Sequence, residues 1–146
     1  MENLEVEILL IEDNLNDAEM TIRALRKHNV TNKVTHLQDG AEGLDFIFGT
    51  GCYKGRNIDN KPKMILLDLK MPKVDGIEML RKVKSDDRTK IIPVVVLTSS
   101  KEDPDVRTCY ELGVNSYIVK PVGFENFTKA IEELGLYWLL LNHPAK

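Results

Sequence analysis

The sequence predicts an α/β protein built on a doubly wound parallel sheet, and two observations support this fold class. Five short apolar runs with strand character alternate with five segments of helical periodicity. Strict alternation is typical of parallel sheets, because each crossover between parallel strands lays a helix on one face of the sheet. The runs are also apolar throughout rather than alternating, which indicates strands that are buried on both faces.

Each strand and helix can be placed from the same patterns. The predicted strands are residues 6–11, 33–37, 64–67, 93–97 and 116–119. The predicted core faces of four helices are Ala18, Thr21, Ile22 and Leu25, then Ile77, Leu80 and Val83, then Val106, Cys109, Tyr110 and Gly113, and finally Phe124, Phe127, Ile131, Leu134, Trp138 and Leu141. Asp103 and Pro104 supply an N-cap and a first helical residue for the fourth helix. Residues 49–62, with three glycines, predict a surface loop longer than such connections usually are.

Length, charge and cysteine content limit the classes of function. With 146 residues and a net charge of -3, the chain fits a single domain, residues 1–146, and lacks the basic footprint of a nucleic-acid-binding protein. Its acidic N-terminus has no signal-peptide pattern, and no apolar run approaches the ~20 residues of a membrane span, so we expect a cytoplasmic protein. Cys52 and Cys109 are not spaced for a zinc site or a disulfide framework.

Polar residues collect at the predicted carboxyl ends of four strands. Glu12 and Asp13 follow the first strand, Asp68 ends the third, Thr98 ends the fourth, and Lys120 ends the fifth. In a parallel sheet these ends lie along one edge, where open α/β sheets carry their ligands. We therefore expect three acids, one hydroxyl and one ammonium to share a pocket. The alternative for any single acid here is a helix cap or turn, a role that suits Asp13 and Asp75.

The charge of this pocket predicts its chemistry. Three close carboxylates repel one another, and Mg²⁺ relieves the repulsion because it binds carboxylates together with waters and phosphate oxygens. A carboxylate has no proton to lose when it attacks phosphorus, so phosphoryl transfer to it depends on positioning and on neutralised oxygens. We predict that Glu12 and Asp13 hold the metal, that Lys120 and Thr98 bind phosphoryl oxygens, and that Asp68 carries the acyl phosphate.

Four segments resemble the receiver domain of bacterial two-component response regulators. They are ILLIEDN at 8–14, LLDLKMPKVDG at 66–76, VVVLTS at 94–99 and YIVKP at 117–121. The resemblance implies a flavodoxin-like sheet of strand order 2-1-3-4-5 with five helices. It also implies phosphorylation of Asp68 by a histidine kinase, and Mg²⁺ held by Glu12, Asp13, Asp68 and the main-chain carbonyl of Lys70. A cis peptide bond before Pro121 belongs to the same pattern.

The resemblance further implies a switch. Thr98 is expected to shift toward the phosphoryl group while Tyr117, the matching aromatic residue, swings inward. A plain packing role for the Tyr117 ring is the alternative. Lys70 stands at a variable position beside the acceptor, where its side chain affects access of the hydrolytic water.

The long loop, the segment 111–117 and the aromatic last helix are similar to the small stand-alone regulators of bacterial phytochrome kinases. The chain ends soon after the last helix, so we expect no output domain and a signal passed through surface contacts. Leu136, Leu139 and Leu140 form a second apolar face on that helix, which predicts a homodimer through the fourth helix, fifth strand and fifth helix.

Three alternative functions fit these residues less well than a receiver domain does. An aspartyl-phosphate phosphatase would carry a second Asp at position 70, where this chain has Lys70. A phosphorylation-independent binding module would not need the whole set of polar residues, and a flavodoxin-like cofactor binder would need a phosphate-cradling loop after the first strand. The residues favour a phosphoacceptor signalling protein, which is not a turnover enzyme. We expect no functional role for His28, His36 and His143.

Overall fold

Five parallel strands form one sheet in the computed structural model of the protein, which describes residues 8–27, 34–71, 74–99, 102, 104–114 and 116–135. The strands are β1 (Ile8–Ile11), β2 (Val34–Leu37), β3 (Met64–Asp68), β4 (Val94–Thr98) and β5 (Ser116–Val119). Their order across the sheet is β2-β1-β3-β4-β5, and every neighbouring pair is parallel. The predicted fold class and strand order are therefore confirmed.

The described residues form five α-helices, of which four connect consecutive strands and the fifth follows β5. They are α1 (Leu15–Lys27), α2 (Gly40–Phe48), α3 (Gly76–Ser85), α4 (Pro104–Glu111) and α5 (Phe124–Leu134). Asp75 caps α3, as expected, because its carboxylate accepts from Glu78 N. At α1 the cap is Asn14, whose side-chain oxygen accepts from Asp17 N at 2.9 Å. Asp13 is therefore not needed as a cap, and its carboxylate is left for another role.

The sheet separates two apolar layers. Alternate strand residues such as Leu9, Ile11 and Leu67 face the layer that contains Met79 of α3 and Cys109 of α4. The other strand residues face α1 and α5, in a second layer that includes the fully buried residues Ile8, Leu10, Leu66, Phe127 and Ile131. Central strands covered on both faces explain why these runs are continuously apolar.

Three described residues of the predicted core faces are exposed, and one of them is Gly113, which lies beyond the end of α4. Tyr110 is 45% exposed on α4 and Phe124 is 40% exposed on α5. Phe124 is the first residue of α5. Trp138 and Leu141, and the predicted second apolar face of Leu136, Leu139 and Leu140, lie outside the described residues.

The loop between α2 and β3 is anchored to α2 by Arg56. Its guanidinium lies 4.0 Å from the Phe46 ring centroid and donates to the main-chain oxygens of Phe46 at 2.9 Å and Asn60 at 2.7 Å. A short 3-10 helix at Gly51–Tyr53 and the bond from the Tyr53 hydroxyl to Glu42 at 2.8 Å add further contacts. The segment is a surface loop, as predicted, but one with its own fixed structure.

Candidate phosphoacceptor and metal site

The carboxyl ends of four strands deliver the predicted polar residues to one edge of the sheet. Glu12 and Asp13 follow β1 directly, Asp68 and Thr98 are the last residues of β3 and β4, and Lys120 follows β5. The strand register fixes their relative heights, because Asp68 pairs with Leu97 and Thr98 pairs with Val119. Asp68 and Thr98 are thus placed by the parallel ladder itself, whereas Glu12, Asp13 and Lys120 lie directly beyond the strand ends.

Three acids converge at this edge. Carboxylate oxygens of Glu12, Asp13 and Asp68 all lie within 4.8 Å of one another. Glu12 is fully buried, Asp68 is 4% exposed, and Asp13 is exposed. Hard oxygen donors at this spacing are the ligands that Mg²⁺ and similar divalent ions use. The cluster therefore has the donor set and the excess negative charge of a divalent metal site.

Lys120 supplies the positive charge beside these acids. Its ammonium lies 3.0 Å from Oε1 of Glu12, 3.3 Å from Oδ1 of Asp68 and 3.1 Å from Oδ2 of Asp17. Burial lowers the pKa of Lys120, but the carboxylates of Glu12, Asp68 and Asp17 outweigh it and the net pKa is raised. The ammonium thus stays charged at any physiological pH and partly neutralises the pocket.

The pKa values of Asp68 and Asp13 are both raised in this pocket. Burial raises the pKa of Asp68 to about 6, the neighbouring Glu12 carboxylate adds to the rise, and Lys120 opposes it. Burial also raises the pKa of Asp13, assisted by a hydrogen bond with Asp68. Charged carboxylates are therefore disfavoured here in the absence of a second cation, the situation that a bound divalent ion relieves.

The main chain around Asp68 and Lys120 is fixed by hydrogen bonds. Lys70 N donates to Oδ1 of Asp68 at 3.3 Å, and Lys120 N donates to the main-chain oxygen of Thr98 at 2.8 Å. The peptide bond between Lys120 and Pro121 is cis, as the resemblance implied. Thr98 is 3% exposed. The role of the Lys70 carbonyl as a metal ligand stays a prediction.

Tyr117 packs against Tyr110 of α4. Its ring meets the Tyr110 ring edge to face, with centroids 6.3 Å apart, and Tyr117 is partly buried against the core layer under α2, α3 and α4. The predicted switch residue therefore contacts the helix nearest to Thr98 in the chain. Its inward movement stays a prediction.

Two residues near the site were missed from the sequence. Asp17 lies in the first turn of α1 and pairs with Lys120, 103 positions further along the chain. His36, expected to be without function, lies on β2 with Nε2 2.8 Å from the main-chain oxygen of Glu12. Asp17 lies four positions after Asp13, but nothing in the sequence indicates its pairing with Lys120. His36 gave no signal beyond its place in an edge strand.

A sheet of this order, with an acid triad, a threonine and a lysine at its carboxyl edge, defines the class of aspartate-phosphorylated signalling domains. The model of the response regulator receiver domain matches residues 8–132. The chain belongs to this family, whose members act through phosphorylation of an aspartate.

Three similar proteins are informative. The probable methanogenesis regulatory protein FilR2 of Methanothrix harundinacea is 44% identical over 133 residues, which cover 90% of this chain and 83% of that protein. Response regulator Rcp1 of Synechocystis sp. is 36% identical, covering 90% of this chain and 88% of Rcp1, and its Mn²⁺-bound structure superposes with a TM-score of 0.73. The structure of the bacteriophytochrome response regulator AtBRR has a TM-score of 0.84 and 50% identity, covering 95% of this chain and 99% of AtBRR.

Within the described residues, none of the helices α1 to α5 has the length and apolar character needed to cross a bilayer.

Proposed function

We propose that Asp68 accepts a phosphoryl group from the phosphohistidine of a sensor kinase. A carboxylate oxygen of Asp68 forms the new O–P bond as the P–N bond breaks, and the imidazole leaves with the electron pair. No general base is required, since the attacking carboxylate carries no proton. The observation that supports this most strongly is the buried Asp68 carboxylate held between two acids and the ammonium of Lys120, 3.3 Å from Oδ1.

We propose that the divalent ion is Mg²⁺, held by Glu12, Asp13, Asp68 and the main-chain carbonyl of Lys70. The three carboxylates fit it, because their oxygens lie within 4.8 Å of one another, and because burial, together with the neighbouring acids, raises the pKa of Asp68 and of Asp13. The ion supplies neutralisation of phosphoryl oxygens when bound. The Mn²⁺-bound structure of Rcp1 supports a divalent ion in a relative.

Lys120 and Thr98 complete the proposed phosphoryl site. The Lys120 ammonium provides a point charge for one phosphoryl oxygen, and the Thr98 hydroxyl provides a hydrogen bond to another. Both residues sit on adjacent strand ends joined by the bond from Lys120 N to Thr98 O at 2.8 Å. A movement of Thr98 toward the phosphoryl group would be accompanied by an inward swing of Tyr117, and the α4–β5–α5 surface would change.

We propose a phytochrome histidine kinase as the phosphoryl donor, and a single receiver domain that signals as a homodimer through α4, β5 and α5. The likeness to AtBRR and Rcp1, with 99% and 88% of those proteins covered, supports the pairing. Because histidine kinases draw on ATP, the proposed pairing supports a cytoplasmic location. Its net charge of -3 favours a protein partner over nucleic acid.

Incubation with Mg²⁺ and acetyl phosphate, followed by intact mass measurement, tests the acceptor. Wild type should gain one phosphoryl group, Asp68→Asn none, and Asp59→Asn, an exposed acid in the loop, should behave as wild type. Equal gain by Asp68→Asn would refute the assignment. Release of phosphate in many turnovers from a phosphorylated substrate would favour a phosphatase instead.

Partner and assembly need separate measurements. Transfer from a purified phytochrome kinase should be faster than from an unrelated histidine kinase, and equal rates would argue against the pairing. Sedimentation with and without beryllofluoride, a phosphoryl mimic, should detect a dimer in at least one state. A monomer under both conditions would end the dimer proposal.

A further inference from the structure

Lys120 is contacted by one acid more than the proposed phosphoryl site requires. Asp17 Oδ2 lies 3.1 Å from its ammonium, beside Glu12 at 3.0 Å and Asp68 at 3.3 Å. An ammonium group has three N–H donors and no acceptor. Among these carboxylates, Asp17 Oδ2 accepts a hydrogen bond from the ammonium, whereas the buried Oε1 of Glu12 has no hydrogen-bond partner. A phosphoryl oxygen that takes a donor of Lys120 therefore competes with Asp17.

Asp17 differs from the other two partners in its surroundings. The side chain of Glu12 is 0% exposed and that of Asp68 is 5% exposed, whereas that of Asp17 is 39% exposed. Asp17 also stands apart from the three acids whose oxygens converge for a metal ion. It thus approaches Lys120 from the solvent side, by way of α1, while the two buried acids approach from the sheet.

The position of Asp17 is set by the helix. Its main-chain nitrogen donates to the Asn14 side chain at 2.9 Å, and its main-chain oxygen accepts from the buried Thr21 hydroxyl at 2.9 Å. An acid in a first turn also interacts favourably with the helix dipole. That purely structural role predicts an effect on stability alone, and it gives no reason for the carboxylate to meet Lys120.

We propose that Asp17 is a positioning residue that holds Lys120 in the resting protein and competes with the phosphoryl group for its ammonium. This inference rests on the proposed function, in which Lys120 binds a phosphoryl oxygen. When the phosphoryl group arrives, Lys120 exchanges Asp17 for a phosphoryl oxygen while keeping its buried partner Glu12. The exchange sets how readily the site accepts an anion, so the identity of residue 17 tunes phosphorylation.

The test measures the concentration of beryllofluoride that half-saturates the protein at saturating Mg²⁺, in variants of α1. Asp17→Asn keeps the shape of the side chain and removes its charge. It should lower the half-saturating concentration by about threefold to tenfold, because one donor of Lys120 no longer faces a carboxylate. Asp17→Ser, which also suits a first helical turn, should do the same and serves if Asp17→Asn does not fold. Asp17→Glu retains the charge and should restore the wild-type value.

Glu19→Gln is the matched control. Glu19 lies on the same helix and pairs with Arg23 at 2.9 Å, so its loss removes one carboxylate without touching Lys120. It should leave the half-saturating concentration unchanged. An equal fall in Glu19→Gln and Asp17→Asn would mean a general charge effect and overturn the proposal, as would an unchanged or higher value in Asp17→Asn. A change confined to the melting temperature would assign Asp17 to the helix alone.

The same samples separate this inference from the proposed function. In one outcome, wild type gains phosphoryl mass on Asp68 from acetyl phosphate while Asp17→Asn matches wild type in every measurement. That result would refute the competition between Asp17 and the phosphoryl group for Lys120 and leave the proposed function intact. If wild type gains no phosphoryl mass and binds no beryllofluoride, the proposed function fails and the role of Asp17 falls with it.

Discussion

His36 on the edge strand β2 holds the main-chain oxygen of Glu12 at 2.8 Å from its Nε2. Because a carbonyl oxygen only accepts, Nε2 carries the hydrogen in this contact. The N–H of the same residue, Glu12, donates to Leu37 O at 3.0 Å. Both polar main-chain groups of Glu12 are thus held by β2, and the buried acid of the candidate metal site depends on the edge strand for its position.

We predict that His36→Ala weakens Mg²⁺ binding. Outer contacts that orient metal ligands commonly change affinity by about 10- to 100-fold, and we expect about threefold to tenfold here because His36 acts on the main chain. His36→Gln, which retains an N–H donor, should recover part of the loss. Calorimetric titration with Mg²⁺ measures the affinity. Equal affinity in wild type and His36→Ala would show that β1 alone fixes Glu12.

Polar residues at the ends of the predicted strands were correctly expected to converge, because all strands of a parallel sheet end at the same edge. Asp68 and Lys120 are 52 positions apart in the sequence, yet their strands end at the same edge. The continuously apolar runs, which indicate burial on both faces of a sheet, identified β1, β3 and β4 directly. Where the backbone pattern alone decides the position, the sequence was sufficient.

Contacts that depend on side-chain direction were not predicted. His36 reaches Glu12 across 24 positions and Asp17 reaches Lys120 across 103, and neither pairing has a periodic signature. Helical periodicity also predicted burial for Tyr110 and Phe124, which are exposed, because periodicity gives the side of a helix and not how deeply each residue on that side is buried. Arg56 was assigned to a loop, but its stacking on Phe46 required the folded chain.

We predict that Asp68→Asn stabilises the metal-free protein near neutral pH. The pKa of Asp68 is raised from 3.8 to about 6, so the folded protein binds this proton more tightly than the unfolded chain. The stability from this group is therefore present below about pH 4 and is lost as the pH rises to about 6. Removing the charge should add about 1–2 kcal/mol at neutral pH, after allowance for solvent screening.

Urea denaturation in EDTA across this pH range measures the difference. Wild type should lose stability relative to Asp68→Asn as the pH rises from about 4 to about 6, and the two curves should run parallel above that range. Mg²⁺ should stabilise wild type at neutral pH and narrow the gap, since it binds the folded carboxylates. A constant difference at all pH values would mean that Asp68 does not titrate as described.

We predict that Arg56→Ala destabilises the fold through the loop between α2 and β3. The variant loses the stack on Phe46 and two hydrogen bonds to main-chain oxygens, which should lower the free energy of unfolding by about 2–3 kcal/mol. Arg56→Lys should recover less than half, because an ammonium cannot stack and fork in the same way. Lys54→Ala, at an exposed position in the loop, is the control and should stay within about 0.5 kcal/mol of wild type in chemical denaturation.

We predict that Gly76→Ala disturbs the acceptor loop. Gly76 begins α3, and a Cβ at this position would lie 2.5 Å from the main-chain oxygen of Asp68 and 2.6 Å from Cα of Leu69. Neither is the end of a flexible side chain, so the backbone that presents Asp68 must shift. We expect a loss of about 2–4 kcal/mol in the free energy of unfolding, together with slower phosphorylation by acetyl phosphate.

Gly123→Ala is the matched control for this substitution. Gly123 is the N-cap of α5, at the same edge of the sheet, but a Cβ there would meet nothing within 4 Å. Its φ of -130° suits any residue, so we expect a loss below about 1 kcal/mol, mainly from a weaker cap, and an unchanged phosphorylation rate. Equal phosphorylation in Gly76→Ala and Gly123→Ala would mean that the contact between α3 and the main chain of Asp68 does not set the geometry of the acceptor.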